Sequence, residues 1–424
     1  MAFDSAGRSR PCAGVTALAA NRNYRLLFGA SAVSNLGDGV SALAFPWLAT
    51  LITRDPALIA LVAFATRLPW LLFAIPAGVL TDRGDRRRMM AQADALRLLL
   101  TGGVIALILA APTLPPERGA PSLILALSAL AFLLGCAEVI RDNAAQTMLP
   151  SVVPAPQLER ANGRLWSVEQ VMGSFVGPPL AGVLIALAVP APFALDAVAF
   201  GLAAWLVWCI ALPPRVAPPR RSLRAETAEG LRWLLAHPTL LRLAVMLGIV
   251  NALGTMAVTI LILVSQERLG LSAVGHGALL TAGAAGGVLG GLLCPALAAR
   301  IGGQRSLMLA LAVFPVPFLL IGLASSVAVV AVALFVEMLA ALLWNVVTVS
   351  YRQRLIPDAL LGRVNSLYRF FGWGMMPLGA LAGGWVVATA EPHLGREAAL
   401  RAPYLLAAAG SVGLFVYGRA RLRL

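Results

Sequence analysis

Long apolar stretches, each broken by a short cluster of charge, proline or glycine, divide the chain into twelve segments. They run roughly over residues 24–52, 56–81, 89–111, 121–141, 162–189, 192–212, 240–265, 272–299, 305–324, 326–350, 361–389 and 402–418. A helix needs ~20 mostly apolar residues to cross a bilayer, and each stretch is about that long or longer. The pattern predicts an all-α polytopic membrane protein with twelve transmembrane helices. The longest internal polar stretch, Pro213 to Pro238, falls between the sixth and seventh. Its prolines end the sixth segment, and ETAEGLRWLL within it reads as a short amphipathic helix on the membrane surface. The expected organisation is an N-terminal tail over 1–22, a six-helix bundle over 23–212, a linker over 213–239, and a second six-helix bundle with a short tail over 240–424.

Composition strengthens this picture. The 424 residues are 59% hydrophobic and only 12% charged, against ~25% charged in a soluble protein. The net charge of +14 is carried entirely by arginine. A charge of this size can mark a nucleic-acid partner, but here it is spread through the connections rather than gathered on one face. With twelve spans both termini lie on one side. That side collects 26 arginines and the other 5, while Arg67 and Arg97 fall inside spans. Such asymmetry places both termini in the cytoplasm of a cell (inner) membrane. Cys12, Cys136, Cys209 and Cys294 are scattered without CxxC spacing, so neither a metal site nor a disulfide framework is expected. Motifs of zinc proteases, serine hydrolases and ATP-binding loops are missing. His237, His276 and His393 lie in or next to loops. No enzymatic activity, metal or cofactor is expected.

The two halves echo one another. At an offset of 217, Arg25, Gly37, Arg83 and Arg88 match Arg242, Gly254, Arg300 and Arg305. At 203, Asp142, Pro154, Arg160 and Asn162 meet Asn345, Pro357, Arg363 and Asn365. Matches at equivalent positions point to two six-helix pseudo-repeats, the sign of a transporter with its site between them.

The connection after the second span reads AGVLTDRGDRRRMM. Gly78, Leu80, Asp82, Arg83, Arg86 and Arg87 fall in register with the loop motif G-x-L-x-D-R-x-G-R-R, with Asp85 at its second glycine. Here the chain resembles the major facilitator superfamily over its whole length. The form D-R-x-D-R-R and the opening NYRLLFGASAVSNLGDGVSALAFPWL resemble the branch of macrolide and enterobactin exporters. The resemblance implies a cytoplasmic gate. Asp82 would sit at the positive N-terminal end of span eleven near Leu361, and Arg83 or Arg86 would pair with Asp142 at the end of span four. Span five carries Gly173, Gly177, Pro178 and Gly182 in GSFVGPPLAG. This resembles the antiporter motif G-x3-G-P-x2-G-G, with Ala181 replacing one glycine, and in that family it marks exporters. Its alternative reading is small-residue packing. Gly283, Gly287 and Gly291 read first as a packing seam.

Ionisable groups inside spans cost at least ~2.5 kcal/mol and need a reason. Asp38, flanked by glycines in span one, can carry a proton or pair with an arginine such as Arg67. Glu138 can hold a proton or a cation, or form the edge of an ion cluster with Arg141 and Asp142. Asp94 and Arg97, three apart, can satisfy one another. Glu337 has no charged neighbour within a turn, and Glu169 shares span five with the glycine motif. Arg141 is expected near the end of span four, which puts proton coupling through it in doubt. Trp47, Trp70, Trp166, Phe175, Trp344, Tyr368 and Trp373 can line a pocket or anchor the chain at the interface.

The function expected is secondary active transport, with proton-coupled export of an amphipathic organic molecule (drug, macrolide or siderophore-like) by alternating access. The partners are then a small-molecule substrate, protons and the lipid bilayer, with no nucleic acid and the chain acting as a monomer. The alternatives are an importer or facilitator of a small polar solute, and a transport-inactive receptor or scaffold.

Overall fold

The computed structural model describes residues 18–111, 113–116, 119–211 and 223–422. Its helices make up twelve spans. The first four are α1 (Arg22–Ile52), α2 (Pro56–Arg83), α3 (Arg86–Ala110) and α4 (Ala120–Val152). Span five is built from α5 (Leu158–Gln170), a wide π turn (Val171–Val176) and α6 (Gly177–Leu187); span six is α7 (Ala191–Trp208). The linker helix α8 covers Leu223–Leu235, where ETAEGLRWLL predicts one. Span seven is α9 (Pro238–Leu263) continued by a second π turn (Val264–Arg268), and span eight is α10 (Ala273–Ile301). Span nine joins α11 (Gly303–Val313) to α12 (Pro315–Leu323), and span ten is α13 (Val327–Leu355). Span eleven joins α14 (Asp358–Gly374) to α15 (Met376–Leu394), and α16 (Arg396–Arg421) is span twelve.

Local sequence explains where these helices start and bend. Asn21, Asp55, Asp85 and Ser272 cap α1, α2, α3 and α10 by accepting backbone N–H groups of the first turn. Pro56 follows its cap at the first helical position, where no N–H is needed. In span five the wide turn immediately precedes Gly177-Pro178-Pro179. Proline cannot donate to the preceding turn and its ring crowds the carbonyl there, so the ladder loosens. Eleven of the spans are long and apolar enough to cross a membrane by that measure alone. α1 is equally long but is diluted by Ser31, Ser34, Asn35, Asp38 and Ser41, and these polar groups face protein rather than lipid.

In the first half α4 packs on α2 and α3, and α7 packs on α1 and α3. In the second half α13 packs on α10, α11 and α12, and α16 on α9, α12 and α15. The halves meet where α15 packs on α2 and where α6 packs on α10. Those contacts lie toward the face opposite the termini, called here the far side. One apolar core there includes Leu48, Ile59 and Phe193 of the first half together with Ile260, Leu334 and Leu400 of the second. Toward the termini the cores are separate. Leu27, Met90 and Met148 belong to one, and Leu240, Leu311 and Trp344 to the other. The halves are therefore fused on the far side and splayed on the terminus side.

Two expectations need correcting. Span four continues to Val152, eleven residues past the expected end at 141, so Arg141 lies within the helix and is buried. The apolar pattern breaks at Arg141-Asp142-Asn143, but the helix runs on because those groups face protein. The glycine seam of α10 is met only in part. A side chain on Gly287 would lie 3.2 Å from Met338 of α13 and one on Gly283 3.7 Å from the Leu334 carbonyl, but the tightest approaches are at Gly286 and Gly290, against Phe335 and Leu342, and Gly291 has open space. Spacing alone left the face unassigned, and the α13 contact selects it.

Candidate functional site

Three helices of the first half carry a buried ionic network. Asp94 and Arg97 on α3 sit between Asp38 on α1 and Arg141 on α4. Arg97 binds Asp38 directly, lies 3.4 Å from Asp94 and donates to the Ser34 hydroxyl at 3.0 Å. Its guanidinium also stacks over the Phe200 ring, 3.8 Å from the centroid. Arg141 reaches Asp94 at 3.7 Å and Asp142 at 3.0 Å. Asp94 is 0% exposed, Arg97 3% and Arg141 2%. Taking these charges out of water is tolerable only because each has an opposite partner. The partnering is incomplete, since Asp94 Oδ2, Arg97 Nε and Arg141 Nε lack hydrogen-bond partners among the described residues.

The expected pair Asp94–Arg97 is thus present, but Arg97 rather than Arg67 is the partner of Asp38. Arg67 instead projects into open space and forms no ion pair among the described residues. It lines, with Glu138, both of two cavities stacked along the interface between the halves. The cavity toward the far side has a volume of about 280 Å³ and takes its walls from both halves. Asp38, Ser41, Phe45 and Arg97 face Thr255, Thr259 and His276 across it. The cavity toward the termini is larger, about 650 Å³, with Asn35, Asp142, Gln146, Trp166 and Glu169 on its walls. Trp70 of α2 and Trp373 of α14 meet edge to face there, 4.7 Å between centroids, joining the two halves. Arg369 lies over the Trp373 ring at 4.7 Å.

The other sequence candidates separate on this frame. Glu169 is exposed on the rim of the larger cavity. Glu337 lines neither cavity and lies on α13 against Gly254 of α9. Of the aromatics, Trp344 and Tyr368 are core residues of the second half. The loop motif is only partly visible. Gly78, Asp82 and Arg83, and Leu361, expected near Asp82, lie outside the residues whose side chains are described. Arg86 donates to the Thr147 carbonyl of α4, and Arg87 to the Ile210 carbonyl at 3.1 Å while lying over the Trp208 ring. Asp142, expected to receive Arg83 or Arg86, has Arg141 as its neighbour at 3.0 Å.

The span-five motif has a clear steric role. A side chain on Gly177 would lie 2.9 Å from Val40 N of α1, and one on Gly182 would lie 2.9 Å from Val274 Cα of α10. Gly277 of α10 approaches the Pro178 carbonyl as closely. These small residues let span five touch span one within its half and span eight across the interface. The second contact helps to close the far side. A polar cluster completes that closure. Arg396 forms a fork on Glu267 at 2.8 and 2.9 Å and donates to the Arg54 carbonyl at 2.9 Å. Arg54 also binds Gln266, which donates to Thr50 at 2.9 Å.

Sequence reasoning missed His276. Read as a loop neighbour, it is in fact buried in the first turn of α10 and faces the smaller cavity. The expected span over 272–299 already contains it, so what the sequence leaves open is the face of the helix on which His276 lies.

Comparisons with known proteins agree with this architecture. A family described as transmembrane secretion effector matches residues 14–420. The multidrug efflux pump Tap of Mycobacterium tuberculosis is 30% identical over 224 residues, 49% of this chain and 50% of that protein. Tap of Mycolicibacterium fortuitum is 29% identical over 228 residues, 52% of this chain and 54% of that one. The matched region thus spans about half the length of these curated relatives. Among solved structures, a mutant form of the nucleoside transporter NupG has a TM-score of 0.72 at 14% identity, covering 95% of this chain and 100% of its own. A bacterial homologue of the iron transporter ferroportin in its inward-facing state has a TM-score of 0.70 at 18% identity, covering 93% and 98%. With twelve spans in two splayed halves and a family match along almost the entire chain, the protein belongs to the transmembrane secretion effector family of the major facilitator superfamily, a family of transporters rather than enzymes.

Proposed function

We propose that the protein is a proton-driven exporter of amphipathic organic molecules, acting as a monomer in the inner membrane with both termini in the cytoplasm. The observation that carries this reading is the cavity between the halves, where the carboxyl groups of Asp38 and Glu138 face apolar and aromatic walls. Four carboxyl groups, Asp38, Glu138, Asp142 and Glu169, line the two cavities beside Arg67, Arg97 and Arg141. An amphipathic molecule with a positive or strongly polar end would find an apolar wall and a carboxylate together.

The arginine asymmetry supports a cytoplasmic terminus side, so the splayed arrangement corresponds to loading from the cytoplasm. Rocking of the halves then exposes the same cavity to the far side. There a proton taken up by Asp38 or Glu138 removes negative charge from the cavity and loosens the substrate. On return, the incoming substrate displaces the proton to the cytoplasm. The partial similarity to Tap, a multidrug efflux pump, supports the export direction.

The test is uptake of fluorescent amphipathic dyes, such as ethidium, into inside-out vesicles under an imposed pH gradient. Gradient-dependent accumulation is expected, and Asp38→Asn and Glu138→Gln should each lower its dependence on the gradient. Dye movement that ignores the gradient in every variant would remove proton coupling. Absence of movement for a broad dye panel would remove export.

A further inference from the structure

We propose that His276 is a positioning residue of the transport cycle. Through Ser265 it holds the wide turn Val264–Arg268 in the shape that lets Gln266 and Glu267 latch the two halves together on the far side. The proposal rests on alternating access, and it concerns a link that the ionic network and the cavity carboxylates do not use.

The geometry forms a closed circuit. His276 Nδ1 lies 2.8 Å from the Ser265 hydroxyl. Ser265 occupies the π turn that ends span seven, one residue before Gln266 and two before Glu267. Gln266 donates across the interface to Thr50 at 2.9 Å, and Glu267 lies 4.0 Å from Arg54 of the first half while receiving, within its own half, the fork of Arg396, which itself donates across the interface to the Arg54 carbonyl. Thr50 in turn donates to the Trp47 carbonyl at 2.7 Å, and the Trp47 ring lies back against His276 with centroids 6.2 Å apart. His276 is 5% exposed, and the face it shows is part of the smaller cavity's wall.

A π turn spaces its residues differently from an α turn and persists only where its surroundings hold it. The Ser265–His276 bond is such a restraint. Without it the turn can tighten, which rotates Gln266 and Glu267 away from Thr50 and Arg54 of the first half. A molecule entering the cavity far enough to move His276 meets the far-side latch directly.

The test uses the full chain in lipid nanodiscs, with Cys12, Cys136, Cys209 and Cys294 replaced by serine. Spin labels on Leu187→Cys and Leu394→Cys then report the far-side separation of the halves by pulsed electron resonance. Ser265→Ala and His276→Ala should each raise the far-side-open population about fivefold, the effect of one lost hydrogen bond. His276→Gln, whose amide can still bond Ser265, should stay within about twofold of the unsubstituted chain. The double variant should open no more than either single one, and Glu267→Gln should open at least as far as they do. Unchanged distances in Ser265→Ala and in whichever histidine variants remain monodisperse would overturn the proposal, as would additive effects of the two sites. The distances are read without any substrate. Failure of dye export alongside the expected distances would therefore remove the export reading and leave this one standing.

Discussion

Asp85 stands where the resembling loop motif has a glycine, and the structure gives it a different task. Its carboxylate accepts the Arg88 N–H at 3.2 Å and caps α3, and the same group lies 3.4 Å from the Arg88 guanidinium. Asp85→Ala should therefore destabilise the start of span three by about 1 kcal/mol, most of it from the lost cap. Thermal unfolding in detergent would check this, with Asp85→Ser as the control because a serine hydroxyl can still accept the capping bond. Asp94 is the harder-working residue of the ionic network, because both Arg97 and Arg141 approach it. Asp94→Asn removes the charge shared by two buried guanidinium groups. The expected cost is roughly 3 kcal/mol, in the range found when a buried ion pair loses one partner. A variant as stable as the original chain in the same melting assay would show that Asp38 and Asp142 suffice.

At the scale of elements, span five shows how a short motif acts through two neighbours at once. Its π turn and prolines bend the helix, and its glycines set the distance to α1 and α10. The outer part, α6, packs on both α10 and α1, whereas the inner part, α5, packs on α1 and α4. A leucine at position 182 would collide with the α10 backbone near Ala273 and Val274. Gly182→Leu is expected to insert normally but to hold the far side apart. Dye transport should fall at least about tenfold, since the closed arrangement is lost, with a passive proton leak in proteoliposomes as the accompanying sign. Normal transport by this variant would return the motif to ordinary packing. Span four illustrates the opposite lesson. Its helix passes through Arg141-Asp142-Asn143 because α1 and α3 supply partners for Arg141, while Asp142 and Asn143 bond within α4, so a break in apolar pattern was not a break in structure.

For the whole molecule, the arrangement is defined by where the halves touch. A shared apolar core, close helix approaches and the Arg54–Gln266–Glu267–Arg396 cluster all lie on the far side. The terminus side has separate cores and the larger cavity. We propose that the loop motif acts in the opposite arrangement, with the terminus side closed. We expect Asp82→Asn to slow dye transport several-fold with unchanged membrane insertion, because a gate acts on the cycle and not on topology. Transport at the original rate would leave the loop as a topology signal only.

The spans, their number and the side asymmetry were legible in the sequence. Lipid demands a local property, ~20 consecutive apolar residues with every backbone group bonded within the segment, and a local property can be read along a chain. Caps and proline breaks are local too, which is why most helix limits fell within a few residues of expectation. Pairing was not legible. That Arg97 rather than Arg67 meets Asp38, that Arg141 is buried beside Asp94, that the α10 seam runs through Gly286 and Gly290, and that His276 faces a cavity all depend on which helix faces meet. Those choices are made by packing between segments far apart in sequence, where many faces are almost equally apolar and small differences in fit decide. The chain alone thus determined that this is a two-bundle membrane transporter and on which side its charges lie. Only the tertiary structure decided which charges neutralise one another, which stay in the cavity, and which side of the molecule is closed.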